Sequence, residues 1–121
     1  MPSKLSPLAP KTLKKINSIE GISVSIAHCG LKKNNKENQG LIKLDSLGKI
    51  LGAFTNSKTP GEPVIWNKSI LRFGKVSAIL INSGNANVFN GDKGKLSLLR
   101  IVKELSIKLK VPENQIFIAS T

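Results

Sequence analysis

The segment from Ile81 to Gly94 carries the residue types best suited to chemistry, because amides, glycines and small residues alternate there. A strand that runs into such a loop, and then into a helix, presents backbone N–H groups and amide side chains to an anion or a carbonyl oxygen. The same composition is typical of a turn that satisfies only its own backbone, since Asn and Gly adopt left-handed dihedrals at little cost. Asn85 and Asn87 are the candidate binding residues of this loop, and both interpretations stay open.

Other reactive residue types are scarce. His28 and Cys29 are neighbours, and adjacent residues of a strand point to opposite faces, so the imidazole would not reach the thiol and a structural role is predicted. One cysteine closes no internal disulfide, and one histidine with one cysteine cannot complete a zinc site. The seven acidic residues show no paired spacing typical of acid–base catalysis. We therefore expect no metal site and no catalytic carboxylate.

The loop must be positioned by the elements on either side of it. Residues 76–81 are the most apolar segment and lack alternation, which predicts a central strand covered on both faces. Asp92 is expected to cap a helix ending near Leu109. Its apolar stripe comprises Leu98, Ile101, Val102, Leu105 and Leu109. Residues 115–119 are predicted to form another buried strand.

The first half of the chain is predicted to be mainly strand. Alternation and short apolar runs place strands at residues 22–27, 41–44 and 50–55. The turn residues at 45–49 would join the last two, which indicates an antiparallel meander. A short helix is expected from about Val64 or Asn67. The fold class is therefore α/β (α+β), a meander followed by a strand-helix-strand unit.

The domain organisation is predicted to be a short arm and one incomplete domain. Residues 1–17 contain three prolines and no apolar periodicity, so we expect a flexible basic arm. Residues 18–121 would form an incomplete α/β domain. We expect it to be the N-terminal portion of a larger protein, because the sequence stops two residues after a predicted apolar strand, and another segment normally follows or covers the end of such a strand. An exposed edge beyond Ile118 would predict poor solubility.

Composition excludes several classes of protein. The 121 residues are 40% hydrophobic, which is ordinary for a globular domain, and no apolar run approaches the ~20 residues of a membrane span. The net charge of +12 invites a nucleic-acid interpretation. However, 17 of the 19 basic residues are scattered lysines and aromatics make up only 4% of the chain, which argues against nucleic-acid recognition. A cytoplasmic location is expected.

Four segments carry distinctive motifs: His-Cys-Gly-Leu-Lys-Lys at 28–33, Gly-Ala-Phe-Thr-Asn-Ser at 52–57, Asn-Ser-Gly-Asn-Ala-Asn at 82–87 and Ile-Phe-Ile-Ala-Ser-Thr at 116–121. In this order they resemble motifs of the ornithine acetyltransferase family, the bifunctional glutamate N-acetyltransferases of arginine biosynthesis. The resemblance covers roughly residues 21–121. It implies that the chain is the N-terminal portion of a self-processing enzyme of that fold.

The resemblance also implies a mechanism. Family members cut themselves before a threonine, which becomes the N-terminal nucleophile of a second chain. This threonine takes acetyl from N-acetylornithine, or from acetyl-CoA as co-substrate in bifunctional members, and passes it to glutamate. Thr121 stands at the threonine of the family's Ala-Ser-Thr-Gly motif, whose threonine and glycine form the oxyanion hole. No metal or bound cofactor is implied.

Two departures from the family bear on activity. The glycine that follows Thr121 in the family, and the later Lys-Gly-x-Gly-Met segment before the cleavage site, lie outside this sequence. The chain by itself is therefore expected to be inactive. Its expected partner is the remainder of the same polypeptide, which carries the nucleophile and would pair with it as a hetero-oligomer. The alternatives are a non-catalytic remnant or a basic nucleic-acid-binding module.

Overall fold

The computed structural model describes residues 6–10, 12, 14–28 and 38–121, and in it four strands form one sheet in the order β1-β2-β3-β4. The strands are β1 Ile22–Ala27, β2 Gln39–Lys49, β3 Lys75–Asn82 and β4 Ile116–Ser120. Strands β1 to β3 are antiparallel neighbours, whereas β3 and β4 are parallel. Helix α1, Glu62–Leu71, connects β2 to β3, and helix α2, Gly91–Leu109, connects β3 to β4. The predicted mixed α/β class is confirmed.

Strand β3 is the centre of the fold, as the apolar segment at 76–81 predicted. It pairs with β2 on one side and with β4 on the other. Val76, Ala78 and Leu80 are all buried along it. Ser77, on the opposite face, is also buried, and Ile79 and Ile81 are half-buried, so both faces of β3 are covered and the strand lacks alternation.

Helix α2 packs one face against the sheet. Leu98 and Val102 are buried with Leu80, Ile116 and Ile118 in the larger core cluster. Ile101, which we expected in the same stripe, is 38% exposed. The prediction that Asp92 caps this helix is wrong, because the helix begins at Gly91 and Asn90 is the preceding residue. Asp92 lies in the first turn, where a carboxylate interacts favourably with the positive end of the helix dipole.

The predicted third strand at 50–55 is also wrong. Strand β2 continues through the predicted turn at 45–49, with a register shift between Lys43 and Gly48, and Gly48 and Lys49 pair with β3. The edge of β2 that a third strand would have used is occupied by β3. Residues 50–55 lie outside the sheet, and Leu51 is 97% exposed. The third antiparallel strand is β3, so β2 and β3 are joined through helix α1 and not by a tight turn.

Two further predictions concern the start of the chain. The described residues of the arm, 6–10, 12 and 14–17, contain no helix or strand. Cys29 lies outside the described residues, as do all the other residues of the motif at 28–33 except His28. Among the residues that the structure does describe, no helix is long and apolar enough to cross a membrane.

Candidate functional site

Thr121 is held at the end of the parallel ladder between β3 and β4. Its backbone N–H donates to the Asn82 carbonyl oxygen at 2.9 Å, and its carbonyl oxygen accepts from the Gly84 N–H at 2.8 Å. These two bonds repeat the pattern of a parallel sheet one residue beyond the last paired positions, Asn82 and Ser120. Because the N–H of Thr121 is already engaged, the donor that this residue can offer to another group is its side-chain hydroxyl.

The loop beside Thr121, residues 82–90, is held together by the side chains of its four asparagines and is named the asparagine loop. Asn82 Nδ2 donates to the Asn85 carbonyl oxygen at 3.0 Å. The Asn87 N–H donates to Asn85 Oδ1, also at 3.0 Å. Asn87 Nδ2 donates to the Gly94 carbonyl oxygen at 3.2 Å, and Asn87 Oδ1 accepts from Asn90 Nδ2 at 2.9 Å. The loop therefore satisfies much of its polar surface internally, as the second of our two sequence interpretations anticipated.

Backbone geometry explains why these residue types occupy the loop. Asn87 has a φ of 51°, in the left-handed region that Asn enters more readily than most residues. Gly94 lies so close to the loop that a Cβ there would fall on the Asn87 amide and within 2.8 Å of Asn90 Cβ. The Asn87 carbonyl oxygen also accepts from the Glu62 N–H at 3.1 Å. The loop thus connects the first turns of both helices.

A cavity of about 450 Å³ opens beside this loop, within the usual size range for small-ligand sites. Its polar lining comes from the loop, the first turns of α2, and the ends of β2, β3 and β4: Gln39, Asn82, Asn85, Asn87, Asn90, Lys93, Ser97 and Ser120. Its apolar lining is Leu80, Leu98, Ile101 and Ile118. Lys93 is the one charged side chain of this lining, so the cavity favours a neutral or anionic ligand with an apolar part.

The structure brings together most, but not all, of the residues predicted from the sequence. Asn85 and Asn87 both line the cavity, with Asn85 exposed and Asn87 half-buried. Thr121 is hydrogen-bonded to the same loop, and its neighbour Ser120 lines the cavity. Among the residues that the structure describes, no group of three or more His, Cys, Asp or Glu residues could hold a metal ion.

The contribution of helix α2 to the cavity was not predicted from the sequence. Lys93, Ser97 and Ile101 lie four residues apart, so they share one face of the helix, and that face lines the cavity. The exposure of Ile101 follows from this position. The signal was present as two polar residues in line with Ile101, which sits at the edge of the apolar stripe.

Residues 23–121 match the ArgJ family. The arginine biosynthesis bifunctional protein ArgJ of Bradyrhizobium diazoefficiens is 38% identical over 121 residues, which are 100% of this chain and 29% of that protein. The protein of the same name from Bartonella quintana is 36% identical over the same shares. The chain therefore spans 29% of the length of these curated relatives.

Two solved structures share the fold. The arginine biosynthesis bifunctional protein of Bacillus halodurans has a TM-score of 0.78 at 23% identity, covering 84% of this chain and 53% of that one. The ornithine acetyltransferase of Mycobacterium tuberculosis, solved in complex with ornithine, has a TM-score of 0.78 at 20% identity, covering 84% of this chain and 56% of that one. The arrangement of strands and helices described above is thus that of these two proteins.

Proposed function

This chain belongs to the ArgJ family, and on that basis we propose that it is the N-terminal part of an acetyltransferase of arginine biosynthesis. The enzyme would move acetyl from N-acetylornithine to glutamate, with acetyl-CoA as a second acetyl donor and no bound cofactor or metal. Residues 18–121 would be an incomplete domain preceded by a flexible arm at 1–17. The enzyme would act in the cytoplasm.

The observation that carries this proposal is the placement of Thr121. Its backbone is held by Asn82 and Gly84, and its N–H is already engaged. The hydroxyl is then the group that would donate to a substrate carbonyl oxygen as negative charge develops on it. This placement supports Thr121 as an oxyanion-hole donor. Asn85 and Asn87 would form part of the wall of the neighbouring site.

The proposed reaction has two acyl-transfer steps. The hydroxyl oxygen of a threonine at the N-terminus of the second chain attacks the acetyl carbon of N-acetylornithine, and its proton passes through the terminal amine of that chain to the departing ornithine nitrogen. The amine of glutamate then attacks the resulting acetyl ester, returning the proton to the threonine oxygen. Thr121 would stabilise the oxyanion in both steps. Because the nucleophile belongs to the second chain, the 121 residues alone would be inactive.

The first experiment is to read the coding DNA downstream of Thr121 and express the complete protein. We expect a following glycine, a later Lys-Gly-x-Gly-Met segment before Ala-Thr, and formation of N-acetylglutamate from N-acetylornithine and glutamate, measured by mass spectrometry. The 121-residue chain expressed alone is the matched control and should form no product. A correctly folded complete protein that forms no N-acetylglutamate would overturn the proposal.

Substitution of Thr121 tests its role. Replacement by alanine removes the hydroxyl, and the loss of one oxyanion donor typically lowers kcat about 10²- to 10³-fold. Thr121→Ser keeps a hydroxyl at the same position and should retain most of the activity. Steady-state kinetics of the two variants in the complete protein measure the difference. Equal activity of Thr121→Ala and the unsubstituted enzyme would rule out the proposed donor.

A further inference from the structure

We infer that Asn87 is a positioning residue, which sets the place of Thr121 through the loop at 82–85 and does not itself bind substrate. The catalytic consequence rests on the proposed function, whereas the structural part can be tested without it. Asn87 differs from the other residues of the cavity wall, because its role depends on a chain of hydrogen bonds and not on a contact with ligand.

The amide of Asn87 is engaged at both ends within the protein. Its Nδ2 donates to the Gly94 carbonyl oxygen in the first turn of α2, and its Oδ1 accepts from Asn90 Nδ2. Its carbonyl oxygen accepts from the Glu62 N–H at the start of α1. Asn87 is therefore tied to both helices, and its side chain already has partners without a ligand.

A continuous path of hydrogen bonds joins Asn87 to Thr121. The Asn87 N–H donates to Asn85 Oδ1. The Asn85 carbonyl oxygen accepts from Asn82 Nδ2. The carbonyl oxygen of Asn82 then accepts from the Thr121 N–H, and the Gly84 N–H between them donates to the Thr121 carbonyl oxygen. Movement of Asn87 would be transmitted to both backbone bonds that hold Thr121.

Small displacements at such a position have large consequences. An oxyanion donor has to lie about 2.7–3.1 Å from the oxygen that it stabilises. A misplacement of about 1 Å can lower the rate of an enzyme roughly 10²-fold. Thr121 follows the last residue of β4, and its two backbone hydrogen bonds go to Asn82, the last residue of β3, and to Gly84 in the loop after it.

Two substitutions disturb Asn87 in different ways. Asn87→Asp keeps the size and the acceptor for Asn90 but removes the donor to the Gly94 carbonyl oxygen. Gly94→Ala leaves Asn87 unchanged but places a methyl group against its amide. Alanine is normally favoured over glycine inside a helix, so helix propensity alone predicts that Gly94→Ala is harmless. Asn56→Ala, at an exposed asparagine in the loop before α1, is the matched control.

Amide hydrogen exchange in this chain tests the structural part. We expect the Gly84 and Thr121 amides to exchange at least tenfold faster in Asn87→Asp and Gly94→Ala, with the Ile118 amide within twofold of its original rate. Asn56→Ala should change none of them. If Gly84 and Thr121 keep their rates, the inference is wrong. If Ile118 accelerates equally, Asn87 stabilises the whole domain, and the inference is wrong in that case also.

Kinetics of the complete protein test the catalytic part. We expect Asn87→Asp to lower kcat at least tenfold and to leave KM within twofold of its original value. The kcat is calculated per active site, and the active sites are counted by titration as acetyl-enzyme. A rise in KM at constant kcat would identify Asn87 as a substrate-binding residue and overturn the inference. If no acetyl transfer occurs at all, the proposed function fails while the exchange measurement still decides the role of Asn87. If transfer occurs but exchange is unaffected, only this inference fails.

Discussion

The two edges of the sheet, β4 and β1, differ in what binds their free backbone groups. At β4, side chains of α1 meet the backbone groups that face away from β3. Trp66 Nε1–H donates to the Ile116 carbonyl oxygen at 2.9 Å, and Asn67 binds both the N–H and the carbonyl oxygen of Ile118, at 3.0 and 2.8 Å. At the other edge, β1 pairs only with β2 in the described part of the chain, and its Val24 is 66% exposed.

The difference shows how a helix can complete a sheet. An amide side chain carries the same donor and acceptor as a peptide group, so Asn67 takes the place that a residue of a fifth strand would occupy. This protects the edge of β4 as far as Ile118, beyond which Ala119 is exposed. Ile22, Val24 and Ile26 of β1 share one face and are all exposed. The β4 edge, which is near the candidate site, is therefore covered by side chains of α1, whereas the β1 edge is not covered in the described part of the chain.

The largest effect is expected at Trp66. Trp66→Ala removes a ring that packs against both core clusters and leaves the carbonyl oxygen of the fully buried Ile116 without its donor. The expected loss is about 3–5 kcal/mol of unfolding free energy, measured by urea denaturation followed by circular dichroism. Ile65→Ala on the same helix, at a side chain that is 46% exposed, is the control. Equal losses in the two variants would mean that α1 does not protect the β4 edge.

Asn67 should have the next largest effect. Asn67→Ala leaves both backbone groups of the buried Ile118 unpaired, and at about 1–2 kcal/mol for each group, the lower part of the usual penalty, we expect a loss of about 2–4 kcal/mol. Asn67→Asp keeps the acceptor for the Ile118 N–H and should lose less. The same denaturation experiment measures both. A smaller loss for Asn67→Ala than for Asn67→Asp would contradict the surrogate-strand role.

The smallest effect on stability is expected at β1. Val24→Thr replaces an exposed side chain with one of similar shape and strand preference, so the unfolding free energy should change by no more than about 0.5 kcal/mol. Static light scattering of the concentrated chain should nevertheless show less self-association, because an exposed apolar edge strand favours pairing between chains. A loss above about 1 kcal/mol would show that this edge is covered after all.

How far the sequence predicted the fold depended on whether the signal was local. Strand β3, helix α2 and strand β4 were recognised from apolar runs and helical spacing within single segments. The strand expected at 50–55 was wrong because β2 extends through the predicted turn and β3 takes the edge of β2 that this strand would have used. Which segment pairs with a given strand depends on all the segments of the chain that could pair there, and the periodicity of one segment does not contain that information.

The candidate site was also predicted only in part from the sequence. The asparagine loop was found from its composition, because Asn and Gly suit left-handed backbone and helix entry wherever they occur. The face of α2 bearing Lys93 and Ser97 was missed, because its importance arises only when the helix is laid across the ends of the strands.

The sequence by itself determined the existence and the end of helix α2, the central strand, the loop rich in amides and the family resemblance, since each depends on residue types at fixed local spacing. Only the tertiary structure decided which sheet edge is protected and that the hydroxyl of Thr121, not its N–H, is left to donate. The physical reason is that a backbone hydrogen-bonding group takes whichever partner the fold brings within reach. Asn67 and Ile118 are 51 residues apart in the sequence, and Asn82 and Thr121 are also distant.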